Sequence, residues 1–246
     1  MTRLKVLLTG PSGRIGGEML PRLRERYDLR TFDLQADAND ANDANAFEGD
    51  LQDIEVLKAA MQGCDCVIHL AATSDEAPFL EKLVPNNIIG IHHVLEAAHQ
   101  SGVKRVVFAG SVQSIGRGMH GEGRAPFEAH EPPRPSSIYG ATKVWGEALG
   151  RYFSDKYGLE FISIRIGAFQ PYDSDWFKEG RARDIWLSPR DMFQLLWRAV
   201  ETPDVVYAIV HGTSQVPRER MSLREAREIL GYQPIDNADD FFAAKS

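Results

Sequence analysis

Short apolar runs alternate with longer amphipathic stretches along the whole chain. The short runs are almost continuously apolar or β-branched, which is typical of strands in a parallel sheet covered on both faces. They predict strands at Leu4–Thr9, Leu29–Asp33, Cys66–Ala71, Val103–Ala109, Phe161–Ile166 and Val205–Val210. The stretches between them predict helices at about Ile15–Arg26, Asp53–Met61, Pro78–Gln100, Ile138–Tyr157, Pro189–Glu201 and Ser222–Leu230. This alternation predicts an α/β fold built on a doubly wound parallel sheet.

Three segments interrupt the alternation: Ala36–Ala46, Gly116–Ser137 and Gln170–Arg183. The first is small and polar, and predicts a surface loop. The second is rich in proline and glycine, and the third is aromatic and charged without periodicity. Loops of this length inside a compact domain are usually functional. Because the chain shows neither an internal repeat nor a linker, we expect residues 1–246 to form a single domain.

Composition and charge exclude several classes of protein. The 246 residues are 43% hydrophobic, which is enough to bury one large core. With a net charge of −7 and no run of Lys and Arg, the chain is not expected to bind nucleic acid. No segment has the length of a membrane span or the pattern of a signal peptide, so we expect a cytoplasmic protein. Cys64 and Cys66 lack further ligands at suitable spacing, which favours reduced buried thiols over a metal site.

The first predicted strand runs directly into a glycine-rich turn that opens a helix, residues 9–17 (TGPSGRIGG). Gly10 permits the tight turn, Gly13 lets the backbone approach a pyrophosphate, and Gly16 lets the helix pack on the sheet. The N-terminus of the helix offers free amides and the positive end of its dipole to phosphates. This pattern, placed between a strand and a helix, predicts a Rossmann-type sheet that binds a dinucleotide.

The residue at the end of the second predicted strand bears on the choice of cofactor. Asp33 lies close to the roughly 20-residue offset expected of a ribose ligand. Its carboxylate can accept hydrogen bonds from both ribose hydroxyls and repels a 2′-phosphate, which favours NAD over NADP. Arg14 and Arg30 lie near enough in sequence to keep NADP as the alternative.

A second pattern with chemical content lies early in the fourth predicted helix. Tyr139 and Lys143 are four residues apart, which places both side chains on one helical face. A free tyrosine has a pKa of about 10, and a neighbouring ammonium lowers that pKa towards the working range of a base. Ser111 follows the strand Val103–Ala109, at the sheet edge where such folds bind ligands, and can stabilise a developing oxyanion. The alternative is a chance Tyr–Lys pair on an ordinary amphipathic helix.

Other segments with the same placement as Ser111 are residues 49–51, 70–72 and 86–90. Near the end of the chain, residues 230–234 read LGYQP. Taken together, these segments resemble an extended short-chain dehydrogenase/reductase of the NAD-dependent epimerase/dehydratase superfamily, over nearly the full chain. The resemblance implies Ser111, Tyr139 and Lys143 as the catalytic set, and Asn87 as a support for the catalytic helix. It implies cofactor contacts at Gly10, Ser12, Gly13, Arg14, Ile15, Gly16, Asp33, Asp50, Leu51, Leu70, Ala71, Ala72, Asn87, Tyr139, Lys143 and Ile166.

Within this superfamily the chain is similar to bacterial uronate dehydrogenases, which oxidise the C1 hydroxyl of a hexuronate to a lactone with NAD. The similarity includes residues 87–90 (NIIG), residues 165–167 (RIG), and Arg181 followed by residues 186–188 (WLS). It implies that Arg181 binds the substrate carboxylate in a bidentate manner, with Arg183 as the competing candidate. Only 80 residues follow Ile166, fewer than the nucleotide-holding domain of the sugar-nucleotide enzymes needs, so a small substrate is expected.

Some positions depart from the uronate dehydrogenase pattern. Val112 and Gln113 stand where those enzymes have Asn-His, and Ala168 stands where they have a serine. Both changes remove hydrogen bonds to a polyhydroxylated substrate, and sites built to bond a hydroxyl discriminate strongly, so an altered substrate is expected. Substrate contacts are predicted at Ser74, Ser111, Val112, Gln113, Tyr139, Ala168 and Arg181, with substrate-binding elements in roughly residues 168–190 and 211–246.

These features predict NAD-dependent oxidation of a small sugar or sugar acid at C1 or another secondary hydroxyl, without a metal. Two alternatives stay open: a nucleotide-sugar epimerase or reductase, and a regulator that senses NAD(P) without catalysis. Helices Pro78–Gln100 and Ile138–Tyr157 resemble those that pair across a four-helix dimer interface in this family. The resemblance therefore implies a homodimer or a higher homo-oligomer.

Overall fold

The computed structural model describes residues 3–35, 44–119, 126–174 and 183–243. Its main sheet contains β1 (Lys5–Thr9), β2 (Asp28–Asp33), β3 (Ala46–Glu48), β4 (Cys66–His69), β5 (Arg105–Ser111), β6 (Glu160–Ile166) and β9 (Tyr207–Gly212). These seven strands are all parallel and follow the order β3-β2-β1-β4-β5-β6-β9. β7 (Ala168–Phe169) and β8 (Trp186–Leu187) form a separate parallel pair. The strand order reverses between β1 and β4, and ligands bind at such a switch point in open α/β sheets.

Helices cover both faces of the sheet, and each face has its own apolar core. One face packs against α1 (Arg14–Arg26), α5 (Pro189–Glu201) and α6 (Arg224–Leu230). The other packs against α2 (Ile54–Met61), α3 (Gly90–Gln100) and α4 (Ile138–Tyr157). A short α7 (Ala238–Ala243) stacks its Phe241 ring on Trp186. The predicted Rossmann-type, doubly wound sheet is confirmed, and no helix in the described ranges is long and apolar enough to span a membrane.

The predicted ends of α4 and α5 are confirmed, because local capping signals set them. The Ser137 hydroxyl accepts a hydrogen bond from the Gly140 amide at 2.8 Å, and Gly158 ends α4 at a φ of +71°. The Ser188 hydroxyl accepts from the Asp191 amide at 3.1 Å and starts α5. Side-chain oxygens at the N-cap and a left-handed glycine after the last turn satisfy backbone groups that would otherwise lack partners.

The structure differs from the predicted elements in several places. Ala46, predicted to end a loop, begins the edge strand β3, which is too short to show a period of its own. The predicted helix Pro78–Gln100 begins as a π-helix over Phe79–Ile89, within which Pro85 has no amide hydrogen to donate. Within the predicted loop Gly116–Ser137, residues 116–119 form a 3₁₀ turn. The very short elements β7, β8 and α7 were not predicted.

Candidate active site

The glycine-rich turn between β1 and α1 lies at the switch point of the sheet. Gly10 has a φ of +74°, and a Cβ at this residue would lie 2.7 Å from the Ala71 amide nitrogen. A Cβ on Gly16 would lie 2.1 Å from the Gly10 carbonyl oxygen, so both positions require glycine. Gly13 is the N-cap of α1 and supplies no side-chain cap, which leaves the helix amides for a phosphate. This cradle has the shape and donors that a pyrophosphate needs.

Asp33 is held against this turn at the end of β2. Its Oδ2 accepts hydrogen bonds from the Ser12 amide at 3.0 Å and the Ser12 hydroxyl at 2.5 Å. The carboxylate therefore lies beside the glycine turn, where it suits the ribose of a dinucleotide. Arg30, considered above as a candidate for the 2′-phosphate of NADP, donates instead to the Ala60 and Gln62 carbonyls, each at 2.9 Å.

The remaining predicted cofactor residues lie at the carboxyl edge of the sheet or next to it. Asp50 accepts the Gln52 amide at 2.9 Å, and Leu51 is buried against Gly90. Residues 70–72 follow β4 directly, and the buried Ile166 ends β6. Residues 14 and 15 form the first turn of α1. The structure thus brings these segments, which are far apart in sequence, to one edge.

Ser111, Tyr139 and Lys143 meet beside this edge. Ser111 is the last residue of β5 and Tyr139 lies on the first turn of α4, and the Ser111 side chain is close enough to the Tyr139 phenol to lower its pKa. Lys143, one turn further along α4, is 4% exposed. Its Nζ lies 5.6 Å from the centroid of the Tyr139 ring and 4.9 Å from that of the Phe108 ring. The three predicted catalytic side chains therefore form one cluster.

Burial dominates the pKa values of this cluster. It raises the pKa of Tyr139 to about 12, against the hydrogen bond from Ser111, which lowers it, and the Asp75 carboxylate raises it further. Burial also lowers the pKa of Lys143 to about 8, partly offset by the charge of Glu147. The sequence predicted that the lysine ammonium would bring down the pKa of the tyrosine. In the structure burial is the largest influence on the pKa of Tyr139, and the influence that lowers this pKa comes from Ser111.

Asn87 connects α4 to the segment that follows β4. Its amide oxygen accepts the Thr73 amide at 2.8 Å, and its amide nitrogen donates to the Thr73 carbonyl at 2.9 Å and to the Thr142 hydroxyl at 3.1 Å. Thr142 in turn donates to the Tyr139 carbonyl at 2.7 Å. Since Asn87 is buried, this network sets the position of Tyr139 relative to β4, as a supporting residue would.

The predicted substrate-contact residues differ in solvent exposure and in hydrogen bonding. Ser74 is exposed after β4, whereas Val112 and Ala168 are partly buried. The side-chain amide of Gln113 is engaged on both sides, because it donates to Asp75 at 3.2 Å and accepts from the Ser137 hydroxyl.

Of the two arginines predicted as candidate ligands of a substrate carboxylate, the structure describes only Arg183. Arg181 lies outside the described residues. The guanidinium of its competitor Arg183 is bound by Asp239, with Nε and Oδ1 2.9 Å apart.

Two features of the site were missed by the sequence analysis. Asp75 and Glu76 lie in the segment between β4 and the π-helix, and Glu76 accepts the Ile138 amide at 3.0 Å, at the start of the catalytic helix. The available signal was two consecutive acids in the loop that follows a buried strand. The second feature is a buried ion pair between Glu147 on α4 and Arg165 on β6, signalled by a charged residue inside an apolar strand.

One group of metal-binding residue types occurs elsewhere in the described ranges. Glu128, His130 and Glu225 bring possible ligand atoms within 4.8 Å of one another. Arg224 forms ion pairs with both carboxylates, at 3.4 Å and 3.3 Å. This guanidinium neutralises one of the two negative charges and competes with a cation for both carboxylates.

Comparison with known proteins places the chain among dinucleotide-dependent enzymes. Residues 6–170 match the NAD dependent epimerase/dehydratase family. The chain is 36% identical to a uronate dehydrogenase of Pseudomonas syringae pv. tomato, over 97% of this chain and 84% of the relative. It is 34% identical to an NAD-dependent glucose-6-phosphate dehydrogenase of Haloferax volcanii, over 96% of this chain and 95% of the relative. A crystal structure of uronate dehydrogenase from Agrobacterium tumefaciens superimposes with a TM-score of 0.85 at 31% identity, over 99% of this chain and 89% of that one.

Proposed function

Because the chain belongs to the NAD dependent epimerase/dehydratase family, we propose that it oxidises the C1 hydroxyl of a small sugar or sugar acid to an aldonolactone with NAD. The observation that carries this proposal is the cluster of Ser111, Tyr139 and Lys143 beside the glycine cradle, in which Lys143 Nζ lies 5.6 Å from the centroid of the Tyr139 ring. The named activities of the relatives, uronate and glucose-6-phosphate dehydrogenases, support the same chemistry.

Each residue of the proposed site has a separate role in this oxidation. When bound on the glycine turn and Asp33, NAD would supply the acceptor for the hydrogen and two electrons that leave C1. Ser111 hydrogen-bonds the substrate oxygen and stabilises it as the C=O bond forms. Tyr139, as the phenolate, accepts the proton of the C1 hydroxyl when the O–H bond breaks. The Lys143 ammonium favours that phenolate, and Asn87 positions the helix that carries both residues.

The substrate is proposed to bind between this cluster and the elements in roughly residues 168–190 and 211–246. The dehydrogenase relatives are covered over 84% or more of their length, which supports a small substrate over a nucleotide sugar. A regulator that only senses NAD(P) does not need a tyrosine, a lysine and a serine brought together in this way. The residue Arg181 remains a predicted ligand of a substrate carboxylate.

The direct test is a screen for NADH formation with glucuronate, galacturonate, glucose, galactose and UDP-glucose. We expect turnover with at least one free sugar or uronate, and none with UDP-glucose. Turnover of UDP-glucose with tightly retained cofactor would support the epimerase instead. Tight NAD binding without oxidation of any sugar would support the regulator.

We also propose that α4 and the π-helical segment before α3 pair with a second copy of the chain. Ile138, Trp145 and Tyr152 recur every seven residues on α4 and are 52%, 41% and 48% exposed, respectively. Leu80 on the π-helix is 71% exposed. Soluble monomers rarely expose an apolar stripe of this kind. Sedimentation velocity should show a dimer that Trp145→Glu dissociates and Arg151→Ala, also on α4, leaves intact; a monomeric parent protein would contradict the proposal.

Finally, we propose that the protein acts in the cytoplasm. Cys64 and Cys66 are buried free thiols, as predicted, and burial raises the pKa of Cys66 to about 12. Reduced thiols and a nicotinamide cofactor suit a reducing compartment. Cell fractionation tests this location directly, and recovery in an exported fraction would contradict it.

A further inference from the structure

The carboxylate of Asp75 is held in a defined position beside the catalytic cluster. Asp75 follows β4 with a φ of +59°, a left-handed conformation that Asp and Asn adopt more readily than most residues. The Gln113 amide nitrogen donates to its Oδ1 at 3.2 Å, and the Gln113 amide oxygen accepts from the hydroxyl of Ser137. Ser137 is the N-cap of α4 and lies two residues before Tyr139. The two hydrogen bonds of Gln113 therefore fix the position of Asp75 relative to the Tyr139 phenol.

The charge of this carboxylate reaches the reacting group. Asp75 raises the pKa of Tyr139, so the two groups interact electrostatically. The Asp75 side chain is exposed, and its Oδ2 accepts no hydrogen bond from the part of the chain that the structure describes. A carboxylate oxygen in this position can accept a hydrogen bond from a hydroxyl of a bound molecule.

Arginines of the C-terminal portion are engaged by acidic side chains. Arg183 pairs with Asp239, Arg190 with Asp236, and Arg220 with Asp184. A guanidinium paired with a carboxylate of its own chain adds little net charge to its surroundings. These three cations therefore do not offset the negative charge that Asp75 brings to the catalytic cluster.

We propose that Asp75 is a specificity-determining residue whose free oxygen accepts a hydrogen bond from a hydroxyl of the sugar, and that the enzyme prefers neutral aldoses over uronates and sugar phosphates. This inference rests on the proposed function and narrows its substrate class. A neutral sugar gains a charge-assisted hydrogen bond, while an anionic sugar is repelled by the carboxylate. A clamp formed by Arg181 on a substrate carboxylate predicts the opposite preference, so the two are separable.

The test compares kcat/KM for glucose with glucuronate, and for galactose with galacturonate, in the full-length protein and in Asp75→Asn. Asparagine keeps the shape of the side chain and tolerates the left-handed backbone, so the fold should be retained. We expect the parent to prefer the neutral aldose, and Asp75→Asn to shift the ratio towards the uronate by about tenfold.

The matched control is Asp204→Asn. Asp204 has the same φ of +59° and is exposed in the turn before β9, at the opposite edge of the sheet from the catalytic cluster. It should leave the substrate ratio unchanged. A parent enzyme that prefers uronates, or an unchanged ratio in Asp75→Asn, overturns the inference while leaving the proposed function intact. If no sugar is oxidised by the parent, the proposed function itself fails.

Discussion

The buried ion pair between Glu147 and Arg165 should dominate the stability of the catalytic helix. Arg165 Nε donates to Glu147 Oε1 and Nη2 to Oε2, each at 2.8 Å, and the two side chains are 1% and 4% exposed. Ser163 adds a hydrogen bond to Oε1 at 3.3 Å, and Arg165 Nη1 reaches the Ala129 carbonyl at 3.3 Å. The pair therefore ties α4 to β6 and to the segment that contains residue 129.

Glu147→Gln removes one charge and leaves the guanidinium of Arg165 buried without its counterion. Breaking such a pair costs about 3–5 kcal/mol, a large part of the about 5–15 kcal/mol that stabilises a typical domain. Replacing both partners with apolar residues removes both desolvation penalties, so Glu147→Met with Arg165→Met should recover most of the loss. The exposed carboxylate of Asp155, in an ion pair with Arg151, provides the control Asp155→Asn.

Urea unfolding followed by tryptophan fluorescence measures these free energies. We expect Glu147→Gln to unfold at a much lower urea concentration than the parent protein. The midpoint of the double variant should lie between these two, and that of Asp155→Asn should match the parent. A loss below about 1 kcal/mol for Glu147→Gln, or a double variant as unstable as the single one, would refute the reasoning.

Three further predictions concern the site and the core. Tyr139→Phe should lower kcat by about 10³-fold and leave NAD binding, measured by fluorescence quenching, unchanged; full activity would contradict its role as base. Gly16→Ala should abolish NAD binding because its Cβ would lie 2.1 Å from a backbone oxygen, whereas Gly17→Ala, whose nearest neighbour is 3.8 Å away, should bind NAD normally. Burial lowers the pKa of His69 and His211 to about 3, so both are neutral in the fold and their contribution to stability is present above the unfolded pKa. That contribution should fall by about 2 kcal/mol per histidine between pH 7 and pH 5, because only the unfolded chain binds the proton there. Equal free energies of unfolding at the two pH values would contradict this.

The sequence by itself determined the features that local chemistry controls. The cap at Ser137 and the glycine at Gly158 set the ends of α4, and apolar periodicity identified every long helix and all but the shortest strand of the main sheet. The glycine turn and Asp33 could be read directly, because their roles depend on backbone conformation and on position within one βα unit.

Only the tertiary structure decided how distant residues combine. β3 exists because it pairs with β2, and its three residues carry no period that could predict it. Gln113, predicted as a substrate contact, is engaged by Asp75 and Ser137, which come from two other segments of the chain. The largest influence on the pKa of Tyr139 is burial by surrounding elements, which the four-residue spacing to Lys143 does not reveal. Desolvation and long-range hydrogen bonding arise from packing, and a linear pattern of residues does not contain them.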